Sequence, residues 1–137
     1  MVYRSFNAPD LEKTMEPFLP LEGFYPMEWI RDERNIALTD GRGSFALFEY
    51  SRTGIYYGHY FFKVRGREAC RFAKKCLHEA FERQGVEIIV GLTPCDNKPA
   101  LWMNRYLGFK YQDTLDTRQG LTQMFMLTKK EWEHKNG

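Results

Sequence analysis

Cysteine is scarce in these 137 residues. Cys70, Cys76 and Cys95 are an odd number, and no CxxC spacing joins any two of them. That argues against a disulfide framework and against a thiolate metal site, and predicts reduced thiols of a cytosolic protein. A nucleophilic role for Cys95 is the minor alternative to a plain reduced thiol. His78 and His134 stand at no ligand spacing to Cys, Asp or Glu, so no metal is expected. No apolar run is long enough to span a membrane. The first ten residues, MVYRSFNAPD, lack the apolar stretch of a secretory leader. Charge of one sign is missing too: 20 Lys and Arg against 18 Asp and Glu leave a net charge of +2. That is too little for a strong nucleic-acid footprint by itself. Low-complexity segments are absent, so the chain is expected to form a single packed domain over residues 1–137. Aromatic residues, by contrast, make up 16% of the chain, which suggests aromatic packing or a stacking surface.

Periodicity and punctuation give an element order. Val2–Phe6 reads as a short strand. Asp10 is the expected N-cap of a helix from about Leu11 to Pro17. The stretch from Phe18 to Arg34 is irregular, with room for a second short helix. Asn35–Thr39, Ser44–Tyr50 and Gly54–Phe62 read as three antiparallel strands, the first two joined by the glycine-rich turn Asp40-Gly41-Arg42-Gly43. Ala69, Phe72, Ala73, Cys76, Leu77, Ala80 and Phe81 recur at helical spacing, and Gly85 suits the end of that helix. Val86–Leu92, almost wholly apolar, follows as a buried parallel strand. Asp96 or Asn97 caps a further helix that carries Pro99 in its first turn and closes at Gly108, with Ala100, Leu101, Met103, Leu107 and Trp102 facing inward. Phe109–Leu115 and Leu121–Thr128 complete a hairpin around Arg118-Gln119-Gly120. The class is α/β (α+β), with a mixed central sheet in the order β-α-(α)-β-β-β-α-β-α-β-β.

The most informative segment is Lys63-Val64-Arg65-Gly66-Arg67-Glu68-Ala69-Cys70-Arg71. It lies between the aromatic strand Tyr56–Phe62 and the long helix. Free N–H groups and the positive end of a helix dipole converge there, which suits a phosphate or pyrophosphate. The plain alternative is a solvated turn with exposed arginines.

The order of elements resembles that of the GNAT acetyltransferase superfamily over nearly the whole chain. Arg65-Gly66-Arg67-Glu68-Ala69-Cys70 sits where the family carries Arg/Gln-x-x-Gly-x-Gly/Ala. The run from Asn97 to Phe109 looks like the family's Asn-x-x-Ala helix ending in Leu-Gly-Phe. The ending Leu127-Thr128-Lys129-Lys130-Glu131-Trp132 is also similar. Gly54-x-Tyr56-x-Gly58-His59 followed by Arg65-Gly66 resembles GNAT-like proteins of tailed phages and prophages, some of them internal virion or head-assembly proteins. The resemblance implies acetyl-CoA as cosubstrate, held by Arg65, Gly66, Arg67, Ala69, Cys70, Arg71 and Asn97. It also implies an amine acceptor, small molecule or protein, and a place in the cytoplasm of a bacterial host cell, or in a virion on the assembly reading. Two departures stand out. Glu68 and Cys70 replace the loop's small residues, and the carboxylate is expected to hinder pyrophosphate binding. The family's frequent Tyr acid on the last of these helices is Asn104 here.

Two residues are candidates for proton transfer. His59, with an ordinary pKa of about 6.5, can accept a proton from an ammonium; otherwise it is a half-buried strand histidine. Glu49 is the alternative base, or else an edge charge. Three functional readings follow. The first is N-acetyl transfer from acetyl-CoA. The second is a catalytically weak or inactive virion or head-assembly protein. The third is a single-stranded RNA binder using Tyr56, Tyr60 and Phe62 as a stacking surface. Nucleic acid is the least favoured partner, because the RNA-recognition signature does not align in register.

Overall fold

The computed structural model describes residues 2–16, 24–118 and 120–136. In chain order the elements are β1 (Tyr3–Arg4), α1 (Ala8–Met15), α2 (Pro26–Arg31), β2 (Ile36–Thr39), β3 (Phe45–Arg52), β4 (Ile55–Phe61), α3 (Gly66–Arg83), β5 (Ile88–Pro94), α4 (Lys98–Leu107), β6 (Lys110–Thr117), β7 (Gly120–Thr128) and α5 (Lys129–Asn136). The seven strands form one sheet in the order β1-β2-β3-β4-β5-β7-β6. Every neighbouring pair is antiparallel except β4 and β5, which run parallel with α3 as the crossover.

The sheet is covered on both faces at β3, which explains the unbroken apolar run Phe45-Ala46-Leu47-Phe48. Side chains alternate along a strand. Phe45 and Leu47 pack with Leu11 and Met15 of α1 and Ile30 of α2, while Ala46 and Phe48 join the larger cluster formed by α3, α4 and the central strands. The sequence period of α3 is realised: Ala69, Phe72, Ala73, Cys76, Leu77, Ala80 and Phe81 are all buried.

Three expectations are corrected. Helix α1 starts earlier than expected and is capped by Asn7, not Asp10; the Asn7 side chain accepts a hydrogen bond from the Asp10 N–H at 3.1 Å. Pro9 lies in the first turn, where its missing N–H costs nothing. Trp102 does not face inward: it is 56% exposed, and the buried face of α4 is Leu101, Asn104 and Leu107. Finally, Lys129–Asn136 forms an additional helix, α5, whose Trp132 stacks on Phe81 with ring centres 6.1 Å apart. The expected end of α1 at Pro17, the part of the irregular stretch before residue 24, and Gln119 lie outside the described residues; α2 occupies the rest of that stretch.

Candidate active site

The parallel pairing of β4 and β5 lasts for three rungs, Ile55 with Ile88, Tyr56 with Ile89 and Tyr57 with Val90. Both strands then continue, β4 to Phe61 and β5 to Pro94, without pairing to each other. The result is a V-shaped opening in the middle of the sheet, and along the parting edges the peptide groups that would have joined the two strands face the gap. A cleft of about 1140 Å³ occupies this opening and extends over the start of α3 and along α4.

The phosphate-cradle sequence forms the rim of this cleft. Gly66 is the first residue of α3 and has φ +59°, a conformation that suits glycine, and nothing lies within 4 Å of the place its Cβ would take. The preceding Arg65 is extended and supplies no side-chain cap. The first N–H groups of α3 therefore have neither an intrahelical partner nor a side-chain one. Arg65, Gly66, Arg67, Ala69, Cys70, Arg71 and Asn97 all line the cleft, as does Lys74 one turn further along α3. Among the described lining residues there are four cations, Arg65, Arg67, Arg71 and Lys74, and no Asp or Glu. Glu68 lines an adjoining surface hollow with Asp40, Arg42 and Lys75, one that shares Val64 and Arg71 with the cleft. The expectation that its carboxylate obstructs the cradle is thus corrected: the turn of the helix carries it away from the cleft.

His59 lies on the cleft wall and is exposed there. It pairs across the sheet with Leu47, so it shares the α1–α2 face with Leu47 and Phe61. The protein packed around the imidazole lowers its pKa from the ordinary value; the nearby Glu49 charge opposes that shift. Glu49 itself does not line the cleft. Its carboxylate accepts a hydrogen bond from Trp29 Nε1 at 3.3 Å. The two proton-transfer candidates are thus a cleft-wall imidazole and a neighbouring charge outside the cleft. Cys95 is likewise not part of the lining.

On the other wall, Asn104 is buried and donates from Nδ2 to Thr93 Oγ1 at 2.9 Å. Asn97 caps α4 by accepting from the Ala100 N–H at 3.3 Å. Tyr60, one residue past His59, turns to the α3 face and meets Phe48 edge-on, with centres 6.4 Å apart. Its hydroxyl is buried without a hydrogen-bond partner, and burial raises its pKa. Sequence reasoning missed Lys74, Thr93 and the outward placement of Trp102. Lys74 falls on the charged side of an amphipathic helix, where nothing local marks it, and Thr93 acquires its role only through the 2.9 Å bond from α4.

Solved structures match the fold along almost the entire chain. Mutant forms of the spermidine/spermine N-acetyltransferase of Vibrio cholerae superpose with a TM-score of 0.79 at 9% identity, covering 100% of this chain and 98% of theirs. An acetyltransferase of the GNAT family from Bacillus anthracis gives 0.67 at 14% identity, over 93% and 94%. The fold is that of the GNAT acetyltransferases. No protein-family model and no curated protein matches the sequence. In this chain the parted strands are β4 and β5, and the helix that starts beside the parting is α3. Among the described residues, no three His, Cys, Asp or Glu come together in a way that can hold a metal ion. No described helix is long and apolar enough to cross a membrane.

Proposed function

We propose that this protein is an N-acetyltransferase that takes its acetyl group from acetyl-CoA. One observation carries the reading. A cleft at the parting of two parallel strands is lined, among the described residues, by four Lys and Arg side chains and no Asp or Glu, and it meets the uncapped N-terminus of an 18-residue helix. Such a site favours a pyrophosphate, and the parting strands offer N–H groups to an oxyanion beside it. The structural neighbours of known activity add weight, since they act on spermidine.

The chemistry assigned to the residues is as follows. Peptide N–H groups of β4 beyond Tyr57 polarise the thioester carbonyl. His59 accepts the proton of the acceptor's ammonium, directly or through one water, so that the nitrogen lone pair attacks. The C–N bond forms, the attacking nitrogen gives up a second proton to water, and the C–S bond breaks. The thiolate leaves and is protonated by water, because Asn104 cannot donate an acidic proton and its amide is engaged by Thr93. Positioning and oxyanion stabilisation supply most of the rate. A positioned general acid contributes about 10²–10⁴-fold, so turnover is slow for want of one.

The deciding experiment is calorimetric titration with CoA, followed by release of free thiol in the presence of spermidine and other amines. Binding, and thiol release that depends on an amine, are expected. Absence of heat at millimolar CoA abandons this reading. Binding without transfer to any amine moves the assignment to the non-catalytic assembly role.

A further inference from the structure

The two faces of the sheet are covered unequally. Residues paired across strands share a face. By that rule Tyr57, Val90 and Met126 lie on the side that carries α1 and α2, and so do His59, Leu92 and Met124. Helices α1 and α2 pack there against Ala37, Phe45, Leu47 and Phe61. Helices α3, α4 and α5 pack on the opposite side. Ile88, Val90 and Leu92 of β5, with Met124 and Met126 of β7, belong to neither cluster. They form an apolar strip with no described helix packed over it. Its exposure rises toward the cleft: Val90 is 8% exposed and Leu92 44%. Leu92 also lines the cleft. It stands two residues past the last parallel rung, as His59 does on β4, so the two face each other across the opening.

We propose that this strip seats the body of the acceptor, and that the acceptor is a small primary amine carrying an apolar chain or ring. The inference rests on the acetyltransferase reading and adds the acceptor class to it. Three observations select this occupant. Leu92 belongs both to the strip and to the cleft, so the strip continues the cleft on the side of His59. An amine held at His59 thus has apolar ground beside it. Next, Ile88–Pro94 pairs with Thr122–Thr128 rung by rung, so between these strands the strip offers side chains only. A peptide laid on it leaves its own N–H and C=O groups against apolar side chains, which is costly; a hydrocarbon chain or ring does not. Lastly, among the described residues no Asp or Glu lines the cleft. Glu49 and Asp113 share this side of the sheet but stand outside the cleft, and Glu49 already accepts from Trp29. A polyamine brings further ammonium groups that this ground does not pair. A monoamine brings one, and the reaction consumes it. The acceptor therefore differs in kind from the spermidine of the structural neighbours.

The test measures amine-dependent thiol release from acetyl-CoA with 2-phenylethylamine, spermidine and a tetrapeptide that begins with alanine. The kcat/KM for 2-phenylethylamine is expected to exceed that for spermidine by about tenfold or more, the discrimination that a few apolar contacts supply. Met124→Glu, which puts a carboxylate on the strip, should invert this preference, and Met124→Leu should keep it. Circular dichroism verifies that each variant is folded. Calorimetric titration with the product, N-acetyl-2-phenylethylamine, reads the strip without turnover. Heat is expected from wild type and Met124→Leu and none from Met124→Glu. A preference for spermidine or for the tetrapeptide overturns the apolar monoamine while leaving the acetyl-CoA reading intact. A preference unchanged in Met124→Glu does the same. If that unchanged preference comes with self-association of the wild type that Met124→Glu abolishes, the strip belongs to a second copy of this chain. A wild type that binds CoA and acetylates none of the amines overturns this inference together with the transferase reading.

Discussion

His59 combines two opposing influences in one imidazole. The protein packed around it disfavours its charged form and the Glu49 carboxylate favours it, with the first influence the larger. As the proton acceptor it must be neutral. The transfer rate should therefore rise with pH through a midpoint below the ordinary value of about 6.5. Removing the Glu49 charge with Glu49→Gln, which still accepts from Trp29, should move the midpoint further down, and His59→Ala should erase the step. A profile unchanged in His59→Ala removes this residue from the chemistry. Stability follows the same sign. The folded state binds this proton less readily than the unfolded chain does, so stability is lost as pH falls through the window just below 6.5. Tyr60 gives a second test at this scale. Its hydroxyl is buried and unpartnered, and such a group costs about 1–3 kcal/mol. Tyr60→Phe keeps the ring packed against Phe48 and Phe62 and should raise the unfolding free energy by about 1 kcal/mol in chemical denaturation. A loss of stability would show that the hydroxyl has a partner in solution.

Single elements explain what the sequence could and could not reveal. Helix α4 was legible because its ends are written in residues with one physical use each. Asn97 caps it, Pro99 fits the first turn, and Gly108 closes it at φ +96° with the Phe109 N–H bonded to the Asn104 carbonyl at 2.9 Å. Its outward face was not legible. Trp102 is as apolar as any core residue, and only its angular position, about 100° from Leu101, sends it into solvent. Helix α5 escaped because Lys129, Lys130, Glu131 and Glu133 surround a single buried residue, Trp132, so there is no apolar period to read. Its role is visible only in three dimensions, where Lys135 Nζ donates to the Tyr106 carbonyl at 3.3 Å near the end of α4. The start of α3 lines the cleft, as its sequence suggests, but Glu68 is not among the lining residues. A helix advances 100° per residue, so two positions from Gly66 the side chain already points elsewhere. Glu68→Gly should accordingly leave CoA affinity unchanged within about twofold. It should destabilise the fold by about 1 kcal/mol, because glycine replaces a good helix former and an acid is lost from the first turn. A marked gain in affinity by calorimetry would restore Glu68 to the cradle.

At the scale of the whole molecule, one sheet is divided into two parts that meet along three parallel rungs. The part from β1 to β4 carries α1 and α2, and the part from β5 to β6 carries α4 and α5. Helix α3 bridges them, since its buried face packs in the cluster shared by Phe48 of β3 and Ile89 of β5. The parting of β4 from β5 forfeits sheet hydrogen bonds, and exposed N–H groups there exchange with solvent more freely than those in a closed ladder. Acyl donor seated in the cleft would complete the interrupted ladder and tie the two parts together. Hydrogen-exchange measurements should then show slower exchange over His59–Phe61 and Gly91–Thr93 when acetyl-CoA is added. The change should be far smaller in β6, an edge strand remote from the gap with largely exposed side chains. At a donor concentration of 100 times Kd the added stability is about 2.7 kcal/mol, which sets an upper bound on the slowing at sites that exchange through global unfolding, roughly a hundredfold. Protection confined to the parting strands and the start of α3 places the donor in the gap. Uniform slowing across all seven strands reports stabilisation alone, and no slowing at 59–61 means that the opening between β4 and β5 does not hold the thioester.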